Sequence, residues 1–134
     1  MKILIKTLLN EGVNELKRKE YLVWIKKLIP FLKEYLHIKG RISVRLTNSR
    51  KNLITTASYS LNKIILVYIK DRSLIDILKS ICHEAQHQKQ HEDGRLSNIE
   101  LDGKAGSEIE NEANAKAGEV IRVFGKKYPI IYEL

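Results

Sequence analysis

The stretch from Ser73 to Gly94 constrains the fold more than any other part of the chain. Leu74, Ile77, Leu78, Ile81 and Ala85 recur at intervals of three and four. At about 100° per residue they collect on one arc of a helix. Ser73 with Asp76 resembles a capping box, with Asp where Glu or Gln is usual, and Gly94 stands where a helix stop is needed. The spacing predicts a helix over about 74–93 with one face made to be buried. His83 and His87 fall on the opposite side of the same wheel. A helix packed on a sheet through its apolar arc presents both imidazoles to a cleft.

The surrounding segments predict a small α+β domain. Residues 1–10 fit either a strand or a first helical turn. Apolar residues from Val13 to Leu36 recur at helical spacing; Pro30 should kink or split that helix, and Gly40 should end it. Three β-rich stretches follow, Arg41–Thr47, Leu53–Tyr59 and Ile64–Ile69. Ile42, Val44 and Leu46 alternate with polar residues, as in a strand with one wet face. Ser60 to Lys63 reads as a hairpin connection between the last two. Beyond a polar loop over Arg95–Gly106, a third helix is expected from Ser107 to Phe124, stopped by Gly125. Tyr128 to Leu134 forms an apolar tail that either packs on the core as a short strand or lies in the cleft. The expected architecture is one α+β domain over residues 1–134: N-terminal helix, small three-stranded sheet, histidine-bearing helix and C-terminal helix.

Composition removes several function classes. With 134 residues and 43% hydrophobic content the chain can bury one real core. The lone Cys82 rules out a disulfide framework and a Cys₄ zinc ribbon, and its place on the apolar arc reads as a core thiol. The longest apolar run, Ile64–Ile69, is too short to span a bilayer. Lys6 interrupts the N-terminal apolar residues and no small-residue cleavage site follows, so a cytoplasmic, non-membrane protein is expected. Lys and Arg number 24 against 16 Asp and Glu, and the excess is uneven. Residues 1–72 carry a net +11 and residues 73–134 a net −3. The basic half either attracts an acidic or nucleic-acid partner or is a solvated Lys-rich surface. It contains no aromatic-interleaved basic motif of the single-strand-binding kind.

The chemistry lies in His83-Glu84-Ala85-Gln86-His87. Two histidines one helical turn apart can reach one metal ion, and the glutamate between them can take a proton from metal-bound water. A tetrahedral catalytic zinc needs a third protein ligand and an open position. The candidates are His91, Asp93, Glu108, Glu110 and Glu112. His91 lies about 12 Å from His83 along the helix axis. Asp93 would need a turn at Gln90, where no glycine stands. On the third helix Ile109, Ala113, Ala117, Val120, Ile121 and Phe124 share an arc. Glu110 lies on its edge beside Asn114, while Glu108 and Glu112 point roughly the other way. Two roles stand open for Glu110. It can ligate a metal, most naturally if the helix starts near Lys104, or it can fold back on the Ser107 amide in a capping box. Asn114 is either a hydrogen-bond partner for a ligand histidine or an ordinary surface amide. Ala113, Ala117 and Gly118 would let the two helices approach closely.

Together, His83-Glu84-Ala85-Gln86-His87 and Glu110-Asn111-Glu112-Ala113-Asn114 resemble the gluzincin pattern H-E-x-x-H … E-x-x-A-[ND] of zinc metallopeptidases. The chain is similar to the smallest of these, the minigluzincins and ImmA/IrrE-type peptidases. It is also similar to short zincin-like peptidases encoded by bacteriophages, in which the motif helix runs into a Gln-rich turn and a glycine, here Gln86, Gln88, Gln90 and Gly94. This resemblance implies a minimal zincin-like fold and a virus-encoded relative. It implies Zn²⁺ held by His83, His87 and Glu110, with Glu84 as general base, and a peptide or protein substrate lying along the Leu53–Tyr59 edge. His91, Tyr59, Tyr68 and Tyr128 are the candidates for stabilising the oxyanion. Two other classes compete: a zinc-bound, non-proteolytic regulatory or nucleic-acid-docking module, and an α+β interaction protein without metal.

Overall fold

The computed structural model describes residues 4–8, 15–49, 55–60, 62–96 and 107–134, with the backbone alone for 4–8 and 15–18. The fold is α+β. The chain runs β1 (Leu4–Leu8), α1 (Glu15–Leu36), β2 (Ser43–Thr47), β3 (Ala57–Tyr59), β4 (Ile64–Tyr68), α2 (Leu74–Glu92) and α3 (Glu108–Lys127), then a 3₁₀ turn over Pro129–Glu133. The expected strands pair as a mixed sheet. The ambiguous N-terminal segment resolves as a further strand, giving the order β1-β2-β4-β3. β1 and β4 flank β2 in parallel, and β3 closes on β4 as the predicted antiparallel hairpin. Residues 53–54 of the expected Leu53–Tyr59 stretch and 97–106 of the expected loop lie outside the described residues.

The two-residue alternation in β2 works as read. Ile42, Val44 and Leu46 point into the core, and Ser43 and Arg45 stay partly exposed. Ile65 and Val67 of β4 continue the same buried layer. Against it lies α2, whose Ile77, Leu78, Ile81 and Ala85 are fully buried. α1 adds Ile25, Leu28 and Leu32, and α3 adds Ala117, Val120 and Phe124. α2 is the central element, touching both other helices, β3, β4 and the C-terminal turn. Cys82 is buried within this core, and the desolvation there pushes its thiol pKa well up. No helix among the described residues is long and apolar enough to cross a membrane.

Three boundaries differ from expectation, each for a local reason. α1 runs through Pro30 as one helix. Pro30 sits on its exposed face, where the carbonyl that proline leaves unpaired can meet water, while the opposite face is held by the core. α1 ends at Leu36 rather than Gly40, because His37 itself takes the left-handed conformation (φ 57°). His37 N–H donates to Glu34 O and Ile38 N–H to Lys33 O at 3.0 Å, a Schellman closure without glycine. Gly40 instead makes a close approach to another segment. Its N–H and that of Lys39 donate to the Glu92 carboxylate at 2.9 and 2.8 Å, and a Cβ there would lie 3.0 Å from Glu92 Oε2.

α3 continues past Gly125 to Lys127. The Tyr132 ring lies against Gly125 where a side chain would stand, whereas a Cβ at Gly118 would meet nothing, so close packing does not account for Gly118. The tail is neither a strand nor a cleft plug. Its 3₁₀ turn buries Ile131, and Leu134 O accepts from Leu74 N–H at the start of α2.

Candidate metal centre

Capping at both ends fixes α2. Ser73 Oγ accepts from Asp76 N–H at 3.3 Å, as the sequence predicts. At the other end Gly94 takes φ 76°, with Gly94 N–H on His91 O and Arg95 N–H on Gln90 O. Between these caps His83 and His87 stand one turn apart, ring centroids 4.9 Å from each other. His83, Glu84 and His87 form a group that can hold a metal ion, their ligand atoms lying within 4.8 Å of one another.

The first turn of α3 brings Glu110 to both imidazoles. Oε1 is 2.6 Å from His83 Nε2, and Oε2 is 3.2 Å from His87 Nε2. The helix begins at Glu108, not near Lys104, and Ser107 is its cap. Only half of a capping box forms. Ser107 Oγ accepts from Glu110 N–H at 3.2 Å, while the Glu110 carboxylate turns to the histidines. The Asn114 side chain hydrogen-bonds the His83 ring. Glu108 is exposed and has no part in the cluster.

Glu112 departs from expectation. It does not turn away. Its carboxylate accepts from Gln86 Nε2 at 2.8 Å, Gln90 Nε2 at 3.1 Å, and both Arg95 nitrogens at 2.8 and 3.0 Å. The Arg95 fork, followed by the two amides, holds its pKa down at about 2. Gln90 links this cluster to the histidines. Its Nε2 also donates to Ile109 O at 3.1 Å, so its Oε1 is left to accept, and His87 Nδ1 lies 2.8 Å from it. Gln86, Gln90 and Arg95 went unread as site residues. The available signal was two glutamines four apart beside the histidines, with an arginine just past the helix stop.

This arrangement decides the tautomer of His87. Nδ1–H donates to Gln90, so in the neutral ring Nε2 carries only its lone pair. That lone pair faces a carboxylate oxygen. Two acceptors at that distance need a cation between them, a proton or a metal ion. Burial, ahead of every other influence, lowers the His83 pKa despite the attraction of Glu110. Burial thus works against a doubly protonated His83, and the neutral imidazole is the form that ligates a metal. Two imidazole nitrogens and a carboxylate converge here, a donor set that a divalent metal ion accepts. The residues present fit such an ion.

Glu84 is buried, and its pKa rises to about 8 through desolvation first and the Glu110 charge second. His91 stays out of the cluster, its Nδ1 2.6 Å from Tyr59 Oη. Of the three tyrosines singled out as oxyanion candidates, only Tyr59 lines the cleft; Tyr128 packs on Trp24.

The cluster opens into a cleft of about 520 Å³ between β3, the N-terminal half of α2 and the start of α3. No residue of the C-terminal tail lines it. β3 is one of the two edge strands, and no further strand pairs with its outer side among the described residues. Thr56 O and Ser60 N–H bond to β4, so by alternation the peptide groups of Ala57 and Tyr59 face the free edge. Ala57 O there accepts from Thr55 Oγ1 at 2.7 Å. No protein-family profile, curated protein or solved structure matches this chain.

Proposed function

We propose that this chain is a zinc-dependent peptidase. The observation that carries the reading is the Glu110 carboxylate set between two Nε2 atoms, with a second, buried acid, Glu84, in the same cleft. A purely structural site has no use for Glu84 and usually fills its fourth position with a protein ligand. His83, His87 and Glu110 would hold the ion, Gln90 fixes the His87 ring, and Asn114 supports His83. Zinc, when bound, supplies a Lewis acid that acidifies water and polarises a carbonyl.

The chain's own residues do the rest. Glu84 is protonated at neutral pH when no cation is near, and a neighbouring divalent cation drives it to the carboxylate form a general base requires. Glu84 then accepts the proton of the attacking water and passes it to the leaving amine. The free edge of β3 aligns an extended peptide by strand addition once the Thr55 hydroxyl releases Ala57 O. The resemblance of both motifs to the gluzincin pattern supports the same assignment.

The test is Glu84→Gln. The amide keeps the shape of the side chain and is not a ligand, so zinc content and thermal unfolding should match wild type while cleavage of a peptide library disappears. Near-normal turnover in the variant would refute the general-base role. A zinc-free protein after loading would refute the metal site itself.

A further inference from the structure

The end of the cleft towards the α2 N-terminus holds a cation that the proposed chemistry does not use. Arg72 is half-buried and lines the cleft together with Asp76, Lys79 and Ser80. Three hydrogen bonds fix its guanidinium: Nη1 to Tyr68 O at 2.7 Å, and Nη2 to Asp76 O at 3.1 Å and Ser80 Oγ at 2.6 Å. All three acceptors are neutral. No carboxylate of the described residues lies within ion-pair distance of it. Asp76, the nearby acid, offers Arg72 its main-chain carbonyl, and its charge acts only through space. Lys79 adds a second, exposed cation with no ion pair among the described residues. This wall therefore carries two cations against one carboxylate. Ser80 Oγ accepts from Arg72, so its own O–H is free to donate into the cleft.

We propose that Arg72, with Ser80 and Lys79, forms a carboxylate-binding subsite at this end of the cleft. Its ligand is an acidic side chain or the C-terminal carboxylate of a bound peptide. The subsite deepens the peptidase reading and rests on it for its place beside the scissile bond. Ser80 is one turn before Glu84, about 6 Å along the helix axis. An extended peptide advances about 3.3 Å per residue, which puts the bound carboxylate one or two residues from the reacting bond. Arg72 is a specificity residue, not a catalytic one. Its Nε–H and second Nη1–H remain for the ligand, and its position is set before the ligand arrives.

Binding of three pentapeptides to the full zinc-loaded chain, followed by calorimetry, tests this without requiring turnover. The first is alanine-based with acetyl and amide ends, the second carries a central aspartate, and the third ends in a free carboxylate. One charge-assisted hydrogen bond predicts about tenfold tighter binding of the second or third than of the first. Preference for the second identifies a side-chain site, and preference for the third a C-terminal one. Lys79→Glu, at an exposed residue outside the core, should cut the preference by about threefold with unchanged unfolding. Arg72→Met should abolish the preference. Because Arg72 also ties β4 to α2, a poorly folded Arg72→Met leaves Lys79→Glu as the deciding variant. Equal binding of all three peptides, within about twofold, overturns the subsite even if cleavage is observed. A clear preference in a protein that cleaves nothing keeps the subsite and overturns the peptidase reading.

Discussion

Replacing Gln90 by methionine should damage metal binding from a position that touches no metal. Gln90 is fully buried, and methionine has nearly its length and volume, so little cavity forms. Three hydrogen bonds disappear: one accepted from His87 Nδ1–H, one donated to Ile109 O and one donated to Glu112. Glu112 keeps Gln86 and Arg95. His87 Nδ1–H and Ile109 O are left without these partners. At about 1 kcal/mol for each of the bonds to Ile109 and Glu112, and about 1–3 kcal/mol for the buried His87 Nδ1–H left unsatisfied, the variant should lose roughly 3–5 kcal/mol of stability. Its imidazole is also free to rotate or to change tautomer. Loss of such an orienting partner typically weakens metal binding about 10–100-fold, or about 1.4–2.7 kcal/mol.

The assay is zinc competition against a chromophoric chelator, with urea unfolding of the metal-free protein run in parallel. Gln86→Met provides the control. Gln86 donates to the same Glu112 but makes no side-chain hydrogen bond to His87, and its Oε1 is already buried without a hydrogen-bond partner. That variant should hold zinc within about threefold of wild type. Wild-type zinc affinity in a folded Gln90→Met protein would refute the claim that Gln90 sets the His87 tautomer.

Glu110→Ala should weaken zinc binding far more than Glu108→Ala, and more than Glu112→Ala, in the same competition assay; equal affinities would remove Glu110 from the metal. Glu112 has a folded pKa of about 2, below the ordinary carboxylate value, so its stabilisation is present above about pH 4.3 and is lost as pH falls through 2. The Glu112→Gln variant should therefore lose less stability than wild type between about pH 5 and 2.5 in urea titrations, by a margin kept small by solvent screening at this one-third-exposed pair. Ile131→Ala should cost about 2–5 kcal/mol by urea unfolding, because the side chain is fully buried. It should not raise peptide cleavage, because the tail does not line the cleft.

Helix α2 was readable almost residue by residue because its determinants are local. The apolar arc, the Ser73 cap and the Gly94 stop all lie within one segment and act as written. What escaped depends on contacts between segments. The Leu4–Leu8 strand exists only through its pairing with β2, thirty-nine positions along the register from Leu4 to Ser43. Gly40 and Gly125 looked like helix stops, yet each answers a neighbour from elsewhere in the chain, Glu92 and Tyr132. His37 shows the converse, since a residue without glycine's freedom can still close a helix when Ile38 is drawn into the core behind it. The wheel misplaced Glu112 because it gives only the direction of Cβ. A glutamate has reach enough to swing towards an arginine and two amides that the wheel does not contain.

Glu110 is where local and distant demands meet. From Ser107 onward the sequence fits a capping box, and main-chain rules alone would fold the carboxylate back onto the Ser107 amide. The serine half of that exchange is kept and the glutamate half is given up. The choice is physical. The two Nε2 atoms sit in a half-buried cleft, and the Glu110 oxygens lie 2.6 and 3.2 Å from them. A half-buried carboxylate oxygen facing the His87 Nε2 lone pair is best held when a cation joins the two. The capping position thus does two jobs with different atoms. Ser107 and the Glu110 amide start the helix, and that start aims the Glu110 side chain at the histidines. Any mutation that moves the beginning of α3 should therefore be felt first in metal affinity and only second in helix stability.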